Sequence, residues 1–295
     1  MTKEDGIFQE KKVDRAGFIS IIGHFIQDKP LGAAGGIVVF IMILVAILAP
    51  LIAPKDPLTI EPLARLSPPS WQHLLGTDQM GRDVLSRVIY GTRISALVGL
   101  TTTLAGSISG AIIGIISGYL GRRVDMILQR LMDILMAFPM LILVIAIMAM
   151  LGASVINLIF AIAVPVVPRV NRVVRSVAVS VKEYQYIEAA QAIGAGPTRI
   201  IFRHVLPNCI ASYLIVVTSL LGGIILAEAS LSFLGLGIPA PAPSWGRSLS
   251  DAMPYYITAP WMAIFPGLAI SLAVFGANLF GDALRDTWDP RMKKL

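Results

Sequence analysis

Long apolar runs alternate with short polar connections along most of the chain, and this pattern predicts a helical membrane protein. A helix needs about 20 apolar residues to cross the hydrocarbon core of a bilayer. Six segments meet or approach that length, namely Leu31–Ala53, Ile94–Leu120, Leu131–Leu151, Val155–Pro168, Cys209–Leu236 and Trp261–Phe280. The fourth is short and holds Pro165 and Pro168, which a kinked helix buried among its neighbours tolerates.

The composition supports this reading and excludes several other kinds of site. The 295 residues are 56% hydrophobic and 14% charged, whereas soluble domains contain about 25% charged residues. The one cysteine, Cys209, cannot form an internal disulfide, and the histidines at 24, 73 and 204 are too scattered to predict a metal centre. The basic residues lack the aromatic interleaving of single-strand-binding proteins. We expect an all-α integral membrane protein with six transmembrane helices, no metal site and no nucleic-acid partner.

Lysine and arginine residues predict the orientation, because cytoplasmic loops carry an excess of them. Of the 24 basic residues, 18 lie before the first span, in the second and fourth connections or after the sixth span, and the other 6 lie in the first and fifth connections. Both termini should therefore be cytoplasmic, and so should the fourth connection. The charged leader and the first apolar run are both longer than in a cleaved signal peptide, so we interpret the run as an uncleaved anchor.

The spans divide the chain into five parts. These are residues 1–30 as a cytoplasmic N-terminus, 31–53 as the first transmembrane helix, 54–93 as an external loop, 94–282 as a core of five transmembrane helices, and 283–295 as a cytoplasmic tail. Within the first part, residues 16–28 place Phe18, Ile22, Phe25 and Ile26 on one helical face, which predicts an amphipathic helix in the membrane interface. A simple extension of the first span is the alternative.

The external loop begins with several prolines and ends in a helical pattern. Asp78 is a plausible N-cap for that helix. Its apolar stripe consists of Val84, Leu85, Val88 and Ile89, and Arg82, Asp83 and Arg87 lie off the stripe. Such a pattern is typical of a solvated surface helix. A surface that meets an external partner or covers the transport pathway is the alternative.

Two features of the spans predict contacts within the membrane. Gly106, Gly110, Gly114 and Gly118 recur every fourth residue and so share one helix face, which lets another helix backbone approach closely; lining a pathway is the alternative role. Glu228 lies within the fifth span, where a carboxylate is costly and by default a functional candidate. It could equally satisfy a break in its own helix near the neighbouring glycine pairs.

Motifs for catalysis are missing from the sequence. There is no phosphate-binding G-x-x-x-x-G-K-[ST] loop, so the chain should not hydrolyse nucleotides itself. There is also no H-E-x-x-H and no G-x-S-x-G motif. We expect a protein that is not an enzyme and has no catalytic residues.

The segment 183–207 is the most informative part of the chain, because it is polar and basic yet structured. Glu183 to Ile193 forms a helical pattern, and Gly194 predicts its end through a left-handed glycine. Pro197 suits the first turn of a second helix, which carries Arg199 and Arg203 on one face. A short helix tied to two spans is suited to a groove on a soluble partner.

These residues resemble a known family. Glu188, Ala189 and Ala190, followed by Gly194 and then by Leu206 and Pro207, match the "EAA" loop of the permease subunits of bacterial ATP-binding-cassette importers. The family has an aliphatic residue where this chain has His204. The segments GTDQMGRDVLSRVIYGTRIS, ASLSFLGLG, PSWG and NLFGDALRDTWDP extend the match over nearly the whole chain. They resemble the C-type permease of the dipeptide/oligopeptide/nickel group.

The resemblance implies a type I importer permease in the bacterial inner membrane. It also implies a second permease subunit, two cytoplasmic ATPase subunits that bind ATP and Mg²⁺, and an extracytoplasmic substrate-binding protein. This chain would then hold no cofactor of its own, and segment 183–207 would couple ATP binding to alternating access. Dipeptides or short oligopeptides are the expected substrates, with nickel, glutathione or another small solute as alternatives. A self-contained secondary transporter or channel is the alternative of a different class, disfavoured by the coupling segment and the lack of inverted halves.

Overall fold

The computed structural model describes residues 27–288 of the chain, and its elements are helices. They are α1 (Pro30–Ile52), α2 (Val84–Leu120), α3 (Arg122–Met136), α4 (Met140–Leu151), α5 (Val155–Lys182), α6 (Gln185–Ala192), α7 (Pro197–Ile200), α8 (Leu206–Phe233), α9 (Trp245–Ala252) and α10 (Trp261–Trp288). A single π-helical turn, Ile201–Val205, joins α7 to α8. The part described contains no β-strand. Most of the predicted interfacial helix at 16–28, and the tail beyond residue 288, lie outside the described residues.

Six passes through the membrane are confirmed if one bent pair is counted as a pass. Five spans, α1, α2, α5, α10 and the continuous run from α7 to α8, are long and apolar enough to cross a membrane. The sixth is the pair α3 and α4, whose axes meet at 92°. Lys29 at the start of α1 and Asp286 near the end of α10 form an ion pair of 2.7 Å. The first and last passes therefore begin and end at the same end of the bundle.

The third span, predicted as Leu131–Leu151, begins earlier, at Arg122, and is broken near Pro139. The helix stops at Met136 and restarts at Met140, with Pro139 in an extended conformation between them (φ −55°, ψ 135°). Proline disfavours helical geometry in the residue before it, here Phe138, and so ends the first helix. The pass is thus a basic amphipathic helix followed by a short apolar one.

Other helices extend beyond the apolar runs that predicted them. The fourth span continues from Val155 to Lys182, with Pro165 and Pro168 inside it. The second begins at Val84 rather than Ile94. Hydropathy falls where a helix leaves the hydrocarbon, but its backbone hydrogen bonds continue, so apolar runs underestimate helix length.

The glycine ladder lies where α2 packs on α5. A Cβ added at Gly110 would lie 2.6 Å from the carbonyl oxygen of Val167, and one at Gly118 would lie 2.8 Å from the Cβ of Ala178. Gly106 and Gly114 meet α5 equally closely. Because contacts advance together along both helices, α2 and α5 run parallel. The ladder thus brings two backbones close enough to exclude any larger side chain.

The remaining long helices complete the bundle around α2. Val98 of α2, Leu158 and Ile162 of α5 and Ile224 of α8 belong to one buried apolar cluster. On the other side of α8, Gly222 lies against the Asn278 side chain of α10. The two ends of this bundle differ: residues 53–83 and α9 form one, the loop end, and α6 and α7 lie at the other, the α6 end.

Candidate functional site

The coupling segment at the α6 end folds much as its turn residues predict. The short helix α6 runs from Gln185 to Ala192, slightly inside the predicted limits. Gly194 has φ +85°, the left-handed conformation in which glycine costs least. Pro197 then occupies the first turn of α7, with Gly196 as its N-cap. Two short helices therefore meet at a sharp corner outside the bundle.

Only one residue of α6 is buried in the protein, Ile187 at 0% exposure. Glu188 and Ala189 are exposed, Ala190 is half-buried and Gly194 is exposed. At the base of the segment Leu206 is half-buried and Pro207 is exposed. The structure thus places the family-matched residues along one projecting segment, and it leaves most of them open to solvent or to a partner.

Large apolar side chains project from this segment. They are Tyr184, Tyr186, Ile193 and Phe202, and Ile193 is 87% exposed. Exposed apolar side chains on a polar segment are a mark of a protein or membrane interface. We call Tyr184, Glu188, Ala189 and Ile193 the α6 surface.

The segment is firmly attached to the bundle on its other side. Ile200 and Val205 are buried in the main apolar cluster, whereas Arg199 and Arg203 point outward. The π-helical turn at 201–205 continues directly into α8 without a loop. A displacement of α6 would therefore be transmitted to the membrane helix α8.

His204, where the family carries an aliphatic residue, has a structural contact. Its ring centroid lies 5.8 Å from that of Tyr186, in a tilted arrangement typical of aromatic pairs. Asn208 donates from Nδ2 to the His204 carbonyl oxygen at 2.7 Å and to the Tyr186 hydroxyl at 3.3 Å. These contacts hold α6 against the start of α8.

Glu228 lies fully buried on α8 rather than facing an open channel. It accepts hydrogen bonds from the hydroxyls of Ser95 on α2 (2.9 Å) and Ser232 on α8 (2.8 Å). The helix α8 continues unbroken past Gly222 and Gly223. The carboxylate therefore joins two helices. The alternative role for Glu228, satisfying a helix break at Gly222 and Gly223, is excluded because the helix has no break there.

The loop end carries a charged cluster that sequence reasoning missed. The predicted N-cap Asp78 is wrong: Asp83 caps α2 by accepting from the backbone N–H and hydroxyl of Ser86, both at 2.8 Å. Asp78 instead accepts from Nε of Arg82 at 2.6 Å. Arg82, Asp83 and Arg87 are all under 10% exposed, so the predicted solvated helix surface is wrong as well. The signal available in the sequence was the repeated i, i+4 spacing of opposite charges.

This cluster fixes α9 and α10 against the start of α2. Asp251 on α9 lies 3.6 Å from Arg82 and 3.9 Å from Arg87. Trp245 donates from its indole N–H to the Val88 carbonyl at 2.9 Å, and Trp261 donates to the Thr77 carbonyl at 3.1 Å. Residues of this chain thus hold the start of α2 against α9 and α10.

The fold and this projecting segment define a multi-pass helical membrane protein that exposes a short helix between two of its passes. Residues 110–294 match the family described as the binding-protein-dependent transport system inner membrane component. Residues 24–69 match the N-terminal transmembrane domain of oligopeptide transport permease C. The chain belongs to this family of inner membrane transport components, and the resemblance to the C-type permease group is confirmed.

Curated relatives match over nearly their full length. A dipeptide transport system permease protein DppC from Alkalihalophilus pseudofirmus is 44% identical, covering 91% of this chain and 88% of the relative. A di/tripeptide transport system permease protein DppC from Pseudomonas aeruginosa is 41% identical, covering 89% of each. A glutathione transport system permease protein GsiD from Pectobacterium atrosepticum is 40% identical, covering 89% and 88%. This chain is therefore a multi-pass transport permease subunit of the bacterial inner membrane.

Proposed function

We propose that this chain forms half of the translocation pathway of an importer driven by ATP hydrolysis on separate subunits. The observation that carries the proposal is the α6 surface, which is exposed and partly apolar although its base is anchored in the core. Such a helix fits a groove on a soluble partner. Since the segment continues into α8, closure of the partner ATPases would move a membrane helix directly.

The proposed assembly has five members besides the lipid. This chain pairs with a second permease subunit, two cytoplasmic ATPase subunits grip the coupling segments, and an extracytoplasmic binding protein delivers the substrate. ATP and Mg²⁺ bind to the ATPases and not to this chain. The α6 end and both termini then face the cytoplasm, as the excess of basic residues at that end supports.

We place the second permease along α8 and α10, on the side away from α2. A groove of about 470 Å³ lies there, lined among others by Leu226, Leu268 and Phe275. Asn278 is exposed in the same groove, and an amide at membrane depth needs a hydrogen-bonding partner that lipid tails do not offer. A second protein or a hydrated pathway supplies one.

Dipeptides or short oligopeptides are the proposed substrates, because relatives with peptide-transport names match throughout. The glutathione permease relative supports a second candidate, glutathione, which is itself a short peptide. Titration of the cognate binding protein with dipeptides, glutathione and nickel would decide between these substrates, since selectivity is expected to lie in that protein. Peptide binding is the expected result, and binding of nickel alone would overturn it.

The coupling role is tested by adding bulk or reversing charge on the α6 surface. We expect Ala189→Trp and Glu188→Arg to abolish ATPase co-purification and transport while the chain still reaches the membrane. Leu63→Trp is the matched control, because Leu63 is fully exposed at the loop end. Survival of both co-purification and transport in both α6 variants would refute the role.

A further inference from the structure

The helix α3 has an exposed apolar face that no part of the described bundle covers. Ile127, Leu131 and Ile134 recur three or four residues apart, which places them on one face. They are 59%, 51% and 58% exposed. Met132, on another side, is the one buried residue of α3. The helix thus touches the protein along one edge and presents an apolar stripe elsewhere.

Two arginines, Arg123 and Arg130, lie beside this stripe, and a third, Arg122, lies at the start of the helix. Arg122, Arg123 and Arg130 are exposed, and none of them makes an ion pair with any residue from 27 to 288. The acidic residues of α3 do not neutralise them, because Asp125 and Asp133 are paired with α5 instead. The exposed side of α3 therefore combines an apolar stripe with positive charge that has no counterpart in the described structure.

Those acidic pairs also fix the direction of α3. Asp125 binds Arg175 through two hydrogen bonds of 2.5 Å, and Asp133 lies 3.0 Å from Arg172. Eight residues of helix span about 12 Å, and three span about 4.5 Å. The two aspartates are thus about 12 Å apart along α3, but their arginine partners are only about 4.5 Å apart along α5. Helices that lay side by side would keep these two separations equal, so α3 crosses α5 at an angle. The right angle between α3 and α4 agrees.

The level at which α3 crosses α5 coincides with the end of the apolar part of α5. The stretch from Val155 to Pro168 carries no charge, and Arg169, Arg172 and Arg175 follow it. Helix α4, at about 1.5 Å per residue, rises about 18 Å, less than the roughly 30 Å of a hydrocarbon core. An interfacial helix inserts its apolar face by about 5–10 Å, which makes up a large part of the difference.

We propose that α3 lies in the membrane interface at the α6 end, with its apolar stripe among the acyl chains and its arginines bound to anionic phospholipid headgroups. The charge complementarity and the crossing geometry both favour a lipid surface. The inference does not depend on the proposed import function. In this arrangement, α3 anchors the third pass to the membrane surface at the α6 end of the bundle.

The test uses neighbouring positions on α3 that differ in the face they occupy. The full chain carries Cys209→Ala together with Leu131→Cys or Met126→Cys, each labelled with an environment-sensitive dye. Both positions are exposed, at 51% and 59%, and they lie on different sides of the helix. The protein is purified with the subunits that accompany it and reconstituted with phospholipids brominated on their acyl chains.

We expect brominated lipid to quench the dye at Leu131 strongly and the dye at Met126 weakly. Brominated phosphatidylglycerol should quench the Leu131 dye more than brominated phosphatidylcholine at equal mole fraction. Each arginine near an anionic surface favours such lipid by about fivefold, so Arg122→Gln, Arg123→Gln and Arg130→Gln together should remove the preference. Absence of quenching at Leu131 would identify a protein cover and overturn the proposal. A headgroup preference that is missing, or that survives the three substitutions, would also overturn it.

Discussion

At the loop end, charged side chains are buried and paired with one another, whereas at the α6 end apolar side chains are exposed without a cover. Asp78, Arg82 and Arg87 each have less than 10% of their surface exposed, and Ile193 has 87%. The loop end also exposes Leu63 and Trp71, at 104% and 97%, so the contrast is between two local regions: the charged cluster, which we call the closed end, and the α6 surface, which we call the open end. In the first region the charged groups find their partners within this chain, whereas the second leaves apolar side chains available to another subunit.

The largest expected effect breaks the closed end. Asp78→Ala leaves the buried guanidinium of Arg82 without its 2.6 Å acceptor, and removing one partner of a buried pair costs about 3–5 kcal/mol. Thermal unfolding of the purified chain measures this. Asp56→Ala is the control, since Asp56 is exposed and accepts one backbone hydrogen bond within its own turn. Equal shifts in the two variants would show that the cluster is not what closes this end.

The next effect concerns the rigid connection between the two ends. Gly110→Ala places a Cβ 2.6 Å from a backbone oxygen of α5, and such overpacking costs about 1–3 kcal/mol. Gly223→Ala is the matched variant, a helical glycine with no atom within 4 Å of an added Cβ. It should be neutral or stabilising by up to about 1 kcal/mol, because alanine is the better helix former. Stability of both variants at the wild-type level would argue against tight α2–α5 packing.

A smaller, local effect is expected at the open end. Gly194→Ala must adopt a left-handed conformation, at a cost of about 1–2 kcal/mol, although nothing lies within 4 Å of the new Cβ. Gly196→Ala meets open space as well and has φ −71°. We expect Gly194→Ala to reduce transport with little change in global stability, and Gly196→Ala to keep both. Uptake assays on membranes with matched chain levels distinguish the two, and equal uptake would contradict the turn argument.

The smallest expected effect is the pH dependence of stability that arises from the Lys55–Glu61 pair at the loop end. Lys55 donates to Glu61 at 2.7 Å and holds the pKa of that carboxyl below its ordinary value of 4.5. Because the folded pKa is lowered, this stabilisation is present above pH 4.5 and is lost as the pH falls through the lower folded value. The unfolding temperature of Glu61→Gln should therefore lie below wild type at neutral pH and converge with it in acid. A gap that stays constant across that range would contradict the assignment.

The sequence predicts the open end better than the closed one. Gly194 and Pro197 set the α6–α7 corner through local backbone preferences, which need no knowledge of the rest of the fold. At the loop end, either Asp78 or Asp83 could cap the same helix. The helix begins at Val84, so Asp83 is the cap, and Nδ1 of His73 lies 3.1 Å from its carboxylate. That contact crosses the loop and has no signature in local sequence.

Helix limits show the same division between local and tertiary causes. Apolar runs locate every pass, since burial in lipid demands them, but they miss the polar ends. Arg172 and Arg175 resemble residues of a connection, yet they lie inside α5, where they pair with Asp133 and Asp125. Pro139 alone could have predicted the break in the third pass. It could not have predicted the angle of 92° between α3 and α4.

In the proposed importer, an ATPase subunit covers the α6 surface. The direct measurement is the rate at which a membrane-impermeant maleimide modifies Ile193→Cys in inside-out vesicles, prepared with and without the partner ATPases. Leu63→Cys, in right-side-out vesicles, reports the loop end. We predict rapid modification of Ile193→Cys without the ATPases, strong protection with them, and no change at Leu63→Cys. Equal modification of Ile193→Cys in both preparations would contradict the claim.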